Sequence, residues 1–442
     1  MRSRSRFRRL EAGDLFPFTV VLVLAAYFAL EIWDVVRYDW LRGYDAWASS
    51  LYVDAIQLHH HLPSTTDTDV WHNPPLFYAV AAVIQGNAGW TGLEPHKAVQ
   101  LVSVISALGV VALSFLIARE LFPHSRMIPL STLVAAAATP VLLRGALMYH
   151  PEPLATFLAT SGLYVAVRAA VRGWTVRRGL ATGVLLALAN LTRTWALAEA
   201  AAVLGVCVIV CARDRDRAAL RFTAVLFTAF LVLSVPWYVR QEIHYGNPVA
   251  FSKPDPTQWG PPGRPLSFYT SLDVQAVFTN PYAPTFRNKL WPVIYTDWWG
   301  DYSRYFHVPP GEVNAPPRLE ARYRKPLVLQ SIVGIAPSVL ALIGAFALGL
   351  HAFRRRHVGL MIALSAGAFV AASFIGFLIR YPKMDGDNMK ALYLIDLVPL
   401  AAVGAAWSMD SIRRHTNRVF FLGLLAWLTV AVYYDVTFLV LP

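Results

Sequence analysis

Charge is scarce in this 442-residue sequence: Asp, Glu, Lys and Arg together make up 15% of it, against about 25% in soluble domains. Hydrophobic residues reach 56% and the mean hydropathy is +0.45. A soluble chain could not bury that much apolar surface, so lipid has to act as the solvent. Cysteine is rarer still. Cys207 and Cys211 are the two present, four apart in one apolar run with no second Cys/His pair, which excludes a disulfide framework and points to core packing. There is no internal repeat, no low-complexity stretch and no Gly-rich phosphate loop. The formal charge of +12 would suggest nucleic acid in a soluble chain. Here the arginines sit in short segments between apolar runs, a topogenic pattern that excludes a nucleic-acid partner.

What is present is a series of spans. Apolar runs of roughly 17–25 residues lie at 15–36, 98–118, 128–147, 153–171, 180–195, 196–212, 219–239, 328–350, 358–379, 391–408 and 419–440. This predicts an all-α polytopic membrane protein with about eleven transmembrane helices. Arg2, Arg4, Arg6, Arg8 and Arg9 precede the first run as in a signal peptide. That run is long enough to span and no small-residue cleavage site follows, so it reads as a retained signal anchor. With the N-terminus cytoplasmic, alternate short connections carry Arg119/Arg126, Arg172/Arg177/Arg178, Arg213/Arg215/Arg217/Arg221, Arg354/Arg355/Arg356 and Arg413/Arg414/Arg418, as the positive-inside rule requires. The C-terminus and the connections 37–97 and 240–327 then face outward. Residues 74–90 are apolar, but counting them as a span would invert the arginine pattern, so they read as an interfacial helix. Three parts follow: a membrane module over 1–239 that includes the first outer loop, an aromatic-rich outer loop over 240–327, and C-terminal helices over 328–442.

Outward segments collect the polar side chains. After the first span come Tyr44-Asp45-Ala46, then His59-His60-His61, then His72-Asn73-Pro74-Pro75-Leu76-Phe77-Tyr78. Asp45 is placed to take a proton from an acceptor hydroxyl, or simply to cap the helix that starts at Ala46. Adjacent histidines point in different directions, which argues against a joint metal site at 59–61. His150 and Glu152 stand at an outer helix end, where Glu152 would also suit the helix dipole. Arg193, Arg380 and Lys390 are basic and outside, against the positive-inside trend, and an anionic partner such as a lipid phosphate would account for them. The stretch 289–302, with Trp298 and Asp301, alternates aromatics and carboxylates, as sugar stacking or an interfacial belt would. Glu199 and Asp396 fall inside spans and carry no assigned role.

The order of these features resembles the GT-C superfamily of membrane glycosyltransferases. An acidic first outer loop is followed by His72-Asn73-Pro74-Pro75-Leu76-Phe77-Tyr78, His150-Pro151-Glu152, a helix ending in Thr192-Arg193, Pro236-Trp237-Tyr238 and Lys390-Ala391-Leu392-Tyr393. The branch it is most similar to contains bacterial protein O-mannosyltransferases and aminoarabinose transferases. The resemblance implies a polyprenyl-phosphate sugar donor and a glycan, lipid or protein acceptor. It implies Asp45 as base in an inverting transfer, Glu152 as the second acidic position, and Arg193 and Lys390 near the donor phosphate, with Arg380 beside them. His72, Asn73, His150, Trp298 and Asp301 are the expected substrate contacts. Ala46 and Ser49 stand where the family usually pairs the first aspartate with an acid or histidine. No nucleotide cofactor is implied; some relatives carry a divalent metal near the His-Pro-Pro region, which makes His72 a candidate ligand. The setting implied is a plasma (inner) membrane. The rival readings are a transporter or flippase of lipid-linked sugar, which would favour repeats and midplane breaks, and a non-catalytic partner in envelope glycan assembly.

Overall fold

The computed structural model describes residues 15–90, 92–249, 264–286, 288–306, 318–381 and 388–437. In lipid a backbone has to satisfy its own hydrogen bonds, which leaves an apolar run the choice of helix or closed barrel. The described residues are helical, with no strand among them.

The chain opens with α1 (Leu15–Arg37) and turns through α2 (Ala46–Gln57) and α3 (Leu76–Asn87) into α4 (Pro95–Leu121). Next come α5 (Met127–Ala137), α6 (Pro140–Leu147), α7 (Glu152–Arg172), α8 (Val176–Thr192), α9 (Ala196–Asp214) and α10 (Arg217–Tyr245). The long connection holds α11 (Leu266–Thr270), α12 (Val274–Val277) and α13 (Leu290–Trp299). The chain then returns through α14 (Arg318–Val333), α15 (Ile335–Arg355), α16 (Val358–Arg380), α17 (Val398–His415) and α18 (Arg418–Thr437). Nine helices among the described residues are long and apolar enough to cross a membrane, and the α5–α6 pair, bent by 50°, makes a tenth.

The remaining expected span is α8, at 17 residues only about 25 Å long. It packs along α7 and α10 by a small-residue contact of the kind membrane helices use. Gly179 and Gly183 lie one turn apart on the face toward α10, and a Cβ on Gly179 would meet the Phe222 carbonyl oxygen at 2.6 Å, one on Gly183 the Ala229 Cβ at 2.9 Å. The segment 74–90, as expected, does not span: α3 has 12 residues, about 18 Å, and lies against α2.

Two spans depart from straight rods for local reasons. Pro140 has no N–H to donate and forces Thr139 into extended backbone (ψ 114°), which breaks the run read as 128–147. The penultimate span begins with a 3-10 turn over Ala391–Leu397 before α17 takes over. Elsewhere the ends are capped as the sequence suggests. Glu94 accepts from the backbone N–H groups of His96 and Lys97 ahead of Pro95, and Lys97 Nζ donates to the carbonyl oxygens of Val35 (2.6 Å) and Tyr38, closing the end of α1.

Lipid-facing surfaces stay apolar. Leu342 (71% exposed), Phe346 (70%) and Phe353 (83%) line the outside of α15, a patch that a soluble protein would not leave open. The arginine-bearing ends gather at one pole, where Arg172 pairs with Glu120 at 2.6 Å and Arg414 with Asp410 at 2.6 Å. The segments 38–90, 148–152, 193–195, 264–306 and 388–397 meet at the other.

The close α8–α10 approach gives a direct test. Gly183→Val should lower membrane-extracted stability by about 1–3 kcal/mol through overpacking, whereas Gly205→Val, whose Cβ would meet nothing within 4 Å, should leave thermal unfolding in place. Equal melting of the two variants would show that α8 does not pack as described.

Candidate active site

Asp45 sits at the cap position of α2 in left-handed backbone (φ 51°, ψ 20°), a conformation that Asp tolerates better than most non-glycine residues. Its carboxylate makes no cap hydrogen bond. It points instead to Lys390 Nζ at 3.3 Å and to His150 Nε2 at 3.9 Å. His150 Nδ1 contacts Glu152, and Glu152 in turn pairs with the Arg193 guanidinium. Arg193 also donates to Asn73 Oδ1 at 2.6 Å, and Asn73 donates to Tyr78 Oη at 2.9 Å. Five residues from four separate segments therefore form one string of alternating charge: Lys390, Asp45, His150, Glu152, Arg193.

Tyrosine rings support the string. Tyr52 and Tyr78 stack at 3.8 Å, and Tyr52 donates to the Asn73 carbonyl. Lys390 Nζ lies 4.7 Å over the Tyr44 ring. Both ends of the string, Lys390 and Arg193, lie 5.8 Å from the Tyr393 ring, so the string curves back on itself around that residue.

Its electrostatics are one-sided. Burial alone would raise the Asp45 carboxyl, but Lys390, then His150 and Arg193, hold it well below the usual carboxylate range. The side chain is still 38% exposed although protein surrounds it, so the carboxylate is open to a ligand. Burial would lower His150, yet the charge of Glu152 and the contacts with Asp45 and Glu152 raise it. His72 moves the other way: burial and Arg193 lower it to about 3, against the pull of Asp45 and a backbone bond to Asp69, so it is a neutral imidazole. With His150 protonated, the string carries one positive charge in excess, which suits an anion.

Not every expected residue joins. Arg380 is exposed at the end of α16, its guanidinium 5.5 Å over Tyr381. The rings of Tyr381, Phe377 and Tyr393 lie between it and the string. Both carboxylate oxygens of Asp301 accept backbone N–H groups, from Tyr305 (2.9 Å) and Phe306 (2.7 Å), a turn-building arrangement. Trp298 lines an apolar cavity of about 950 Å³ between α5, α13, α15, α17 and α18. Glu199 is buried, and Asp396 accepts from Thr156. The basic segment's Pro382 and Lys383 lie outside the described residues. Sequence reasoning quoted Tyr44 and Tyr393 within its motifs but gave them no role; the signals were their spacing, one residue before Asp45 and three after Lys390.

Among the described residues no three or more His, Cys, Asp or Glu side chains are gathered for a metal. The Lys390 ammonium takes the cation position beside Asp45, so the donor set there does not fit a divalent ion. In the 59–61 tract the His59 and His61 rings are 6.1 Å apart and His61 turns to Asp67 at 3.4 Å.

No protein-family model matches the sequence and no curated protein matches it; the likeness lies in three dimensions. The oligosaccharyltransferase of Archaeoglobus fulgidus, solved with Zn and sulfate, superposes with a TM-score of 0.52 at 14% identity, over 94% of this chain and 52% of that one. AglB of the same organism, in complex with an inhibitory peptide and a dolichol-phosphate, gives 0.52 at 12% identity over 95% and 55%. ArnT from Cupriavidus metallidurans bound to undecaprenyl phosphate gives 0.43 at 16% identity over 91% and 80%. The chain spans about half the length of the oligosaccharyltransferases it matches. The likeness to the two oligosaccharyltransferase structures shows the fold alone, that of a multi-pass helical membrane protein.

The raised His150 predicts a pH signature. An imidazolium favoured by folding contributes stability that is complete below the unfolded value of about 6.5 and is lost as pH rises through the higher folded value. The melting temperature should fall as pH rises above about 6.5, and His150→Gln should flatten that slope. An unchanged slope would mean His150 is not the titrating partner of Glu152.

Proposed function

We propose that this protein is an integral membrane glycosyltransferase that moves a sugar from a polyprenyl-phosphate donor to an acceptor at the extracytoplasmic face. The observation that carries the reading is the Lys390–Asp45–His150–Glu152–Arg193 string at the pole opposite the arginine clusters. It combines an accessible carboxylate with an excess of positive charge, which is what a base and an anionic leaving group need together.

In this reading Asp45 accepts the proton of an acceptor hydroxyl. The acceptor oxygen attacks the anomeric carbon, the bond from that carbon to the phosphate oxygen breaks, and the electron pair leaves with the lipid phosphate. Configuration inverts. Lys390 and Arg193, at either side of Tyr393, receive the phosphate charge. While paired with Lys390, Asp45 is too acidic to be an effective base, since catalytic groups work best near the operating pH. A donor phosphate that draws Lys390 toward itself returns basicity to Asp45 as it binds. Glu152 holds His150 and Arg193 in place. The apolar cavity lined by Trp298 has the chemistry and size for a lipid tail, and a lipid phosphate is a competent leaving group without a nucleotide. Transport is less well supported, because the polar groups lie at one pole rather than at the midplane.

The test is incubation of purified protein with a panel of radiolabelled polyprenyl-phosphate sugars, scoring release of free lipid phosphate. No release from any donor, with donor binding intact, would sink the reading. Asp45→Asn should insert and bind donor yet lose transfer by about 10²–10⁴-fold, as for a removed general base; near-normal transfer would remove Asp45 from the mechanism.

The proposed orientation has the N-terminus cytoplasmic and the C-terminus and both long connections outside, in the plasma membrane. Cysteines introduced at Ser267, exposed in α11, and at Ser411, near the arginine end of α17, should label from outside only and from inside only, respectively. The opposite labelling would invert the topology.

A further inference from the structure

The ion pair between Asp45 and Lys390 joins two chain segments, 345 residues apart in sequence, and a salt bridge to a part-exposed carboxylate is a weak clamp. A second link between the same segments lies behind it. Asp297, on α13 and 8% exposed, accepts a hydrogen bond from Tyr44 Oη on one carboxylate oxygen (3.0 Å) and from the Ala391 backbone N–H on the other (2.7 Å). Tyr44 directly precedes Asp45, and Ala391 directly follows Lys390. The Tyr44 ring also lies beneath the Lys390 ammonium and takes the edge of Tyr305 at 4.6 Å. One buried carboxylate thus ties down both neighbours of the pair it does not touch.

We propose that Asp297 is a positioning residue for the transfer reaction: its carboxylate bridges Tyr44 and Ala391 and so holds Asp45 and Lys390 in register. This rests on the glycosyltransferase reading above and assigns a task within it to the long connection between α10 and α14. The left-handed backbone at Asp45 supplies the reason a bridge is needed. A conformation of that kind costs of order 1–3 kcal/mol and persists only where the surroundings over-determine it. The flanking anchor at Tyr44 does so on one side, and the Ser49 N–H to Asp45 carbonyl bond (2.8 Å) on the other. The remaining charged groups that face Asp297 are Arg144 from α6 and Asp301; neither links the two segments.

The bridge makes a distinction that charge alone would not. In Asp297→Asn the amide oxygen still accepts from Ala391, and the amide N–H donates to the Tyr44 oxygen while its hydroxyl turns to Ser303 Oγ, 3.3 Å away. Asp297→Ala loses both bonds, and Tyr44→Phe loses only the arm to the Asp45 segment. For Asp297→Ala, kcat should fall on the order of 10²-fold, as for a misplacement near 1 Å, with little change in donor KM, and Asp297→Asn should restore most of it. The acidic limb of kcat/KM should move to higher pH in Asp297→Ala, because Asp45 loses Lys390; removal of a nearby negative charge by itself would move it lower. Tyr44→Phe should fall between parent and Asp297→Ala. Independently of activity, hydrogen–deuterium exchange should show the Ala391 amide protected in the parent and in Asp297→Asn and exposed in Asp297→Ala.

An unaltered Ala391 amide in Asp297→Ala, an Asn variant as impaired as the Ala variant, or an acidic limb that moves lower would each overturn the bridge. If Asp297→Ala does not insert, Asp297→Asn and Tyr44→Phe carry the same comparison. Absence of transfer by the parent protein would overturn the glycosyltransferase reading instead, and the exchange measurement would still decide the bridge.

Discussion

A charge at the rim of a lipid-embedded bundle must be answered where it stands. Removing one ion from water costs several kcal/mol even after relaxation, and lipid offers no hydration to replace what is lost. The string from Lys390 to Arg193 meets this constraint by alternation: each charged group has a neighbour of opposite sign within ion-pair distance. The surrounding structure follows from keeping those neighbours in place. Asn73 and Tyr78 fix Arg193, Pro151 and the start of α7 fix Glu152 next to His150, and α13 reaches over the rim to Tyr44 and Ala391.

Such a string is a poor way to gain stability. Buried ion pairs often break even or worse against apolar residues of the same volume, while loss of one member costs about 3–5 kcal/mol. An expensive arrangement that brings a strained Asp45 to an accessible wall is better explained by chemistry than by folding, since perturbed titratable groups gather at functional sites. Apolar packing carries the fold elsewhere. The core between α4, α7, α8, α9, α10, α16 and α17 is built mainly from Ala, Val and Leu, with glycines where backbones touch, as between Gly344 of α15 and Gly404 of α17.

The spans were legible because hydropathy and arginine placement report the same physics, the cost of moving polar groups into lipid. That agreement kept 74–90 out of the membrane and placed a turn at Arg193 between α8 and α9. The break at Thr139–Pro140 was equally open to reading, since Pro140 removes a donor, but a continuous apolar run masked it. Individual site members were legible for a different reason. Glu152, Arg193 and Lys390 each stand at the edge of an apolar run, where a charge is conspicuous, and Asp45 stands in the connection that follows the first run. What could not be read was their pairing: Arg193 with Asn73 and Lys390 with Asp45 join positions 120 and 345 apart, and no local pattern encodes such contacts. The same limit applied to Asp297, which looks like one more carboxylate in an aromatic stretch, and to Arg380, whose basic character says nothing about its distance from the other cations.

The two cations that end the string are held differently, and the difference bears on how the site would work. Arg193 is fixed by Glu152, by Asn73 and by the face of Tyr393, and it is 8% exposed. Both terminal nitrogens of its planar fork are engaged, by Asn73 and Glu152, which suits a group that stays in place. Lys390 is a point charge on a flexible stem, held by a carboxylate that remains open to solvent and by ring faces. Cation–π contacts are worth about 0.5–2 kcal/mol and depend weakly on the ammonium's exact direction. An incoming phosphate therefore meets at Lys390 a salt bridge to a part-exposed carboxylate, whereas the terminal nitrogens of Arg193 are engaged with a buried one. If a lipid phosphate binds here, Lys390 is the group that moves and Arg193 the group that waits, and the rings of Tyr44 and Tyr393 allow that movement without leaving a bare charge behind.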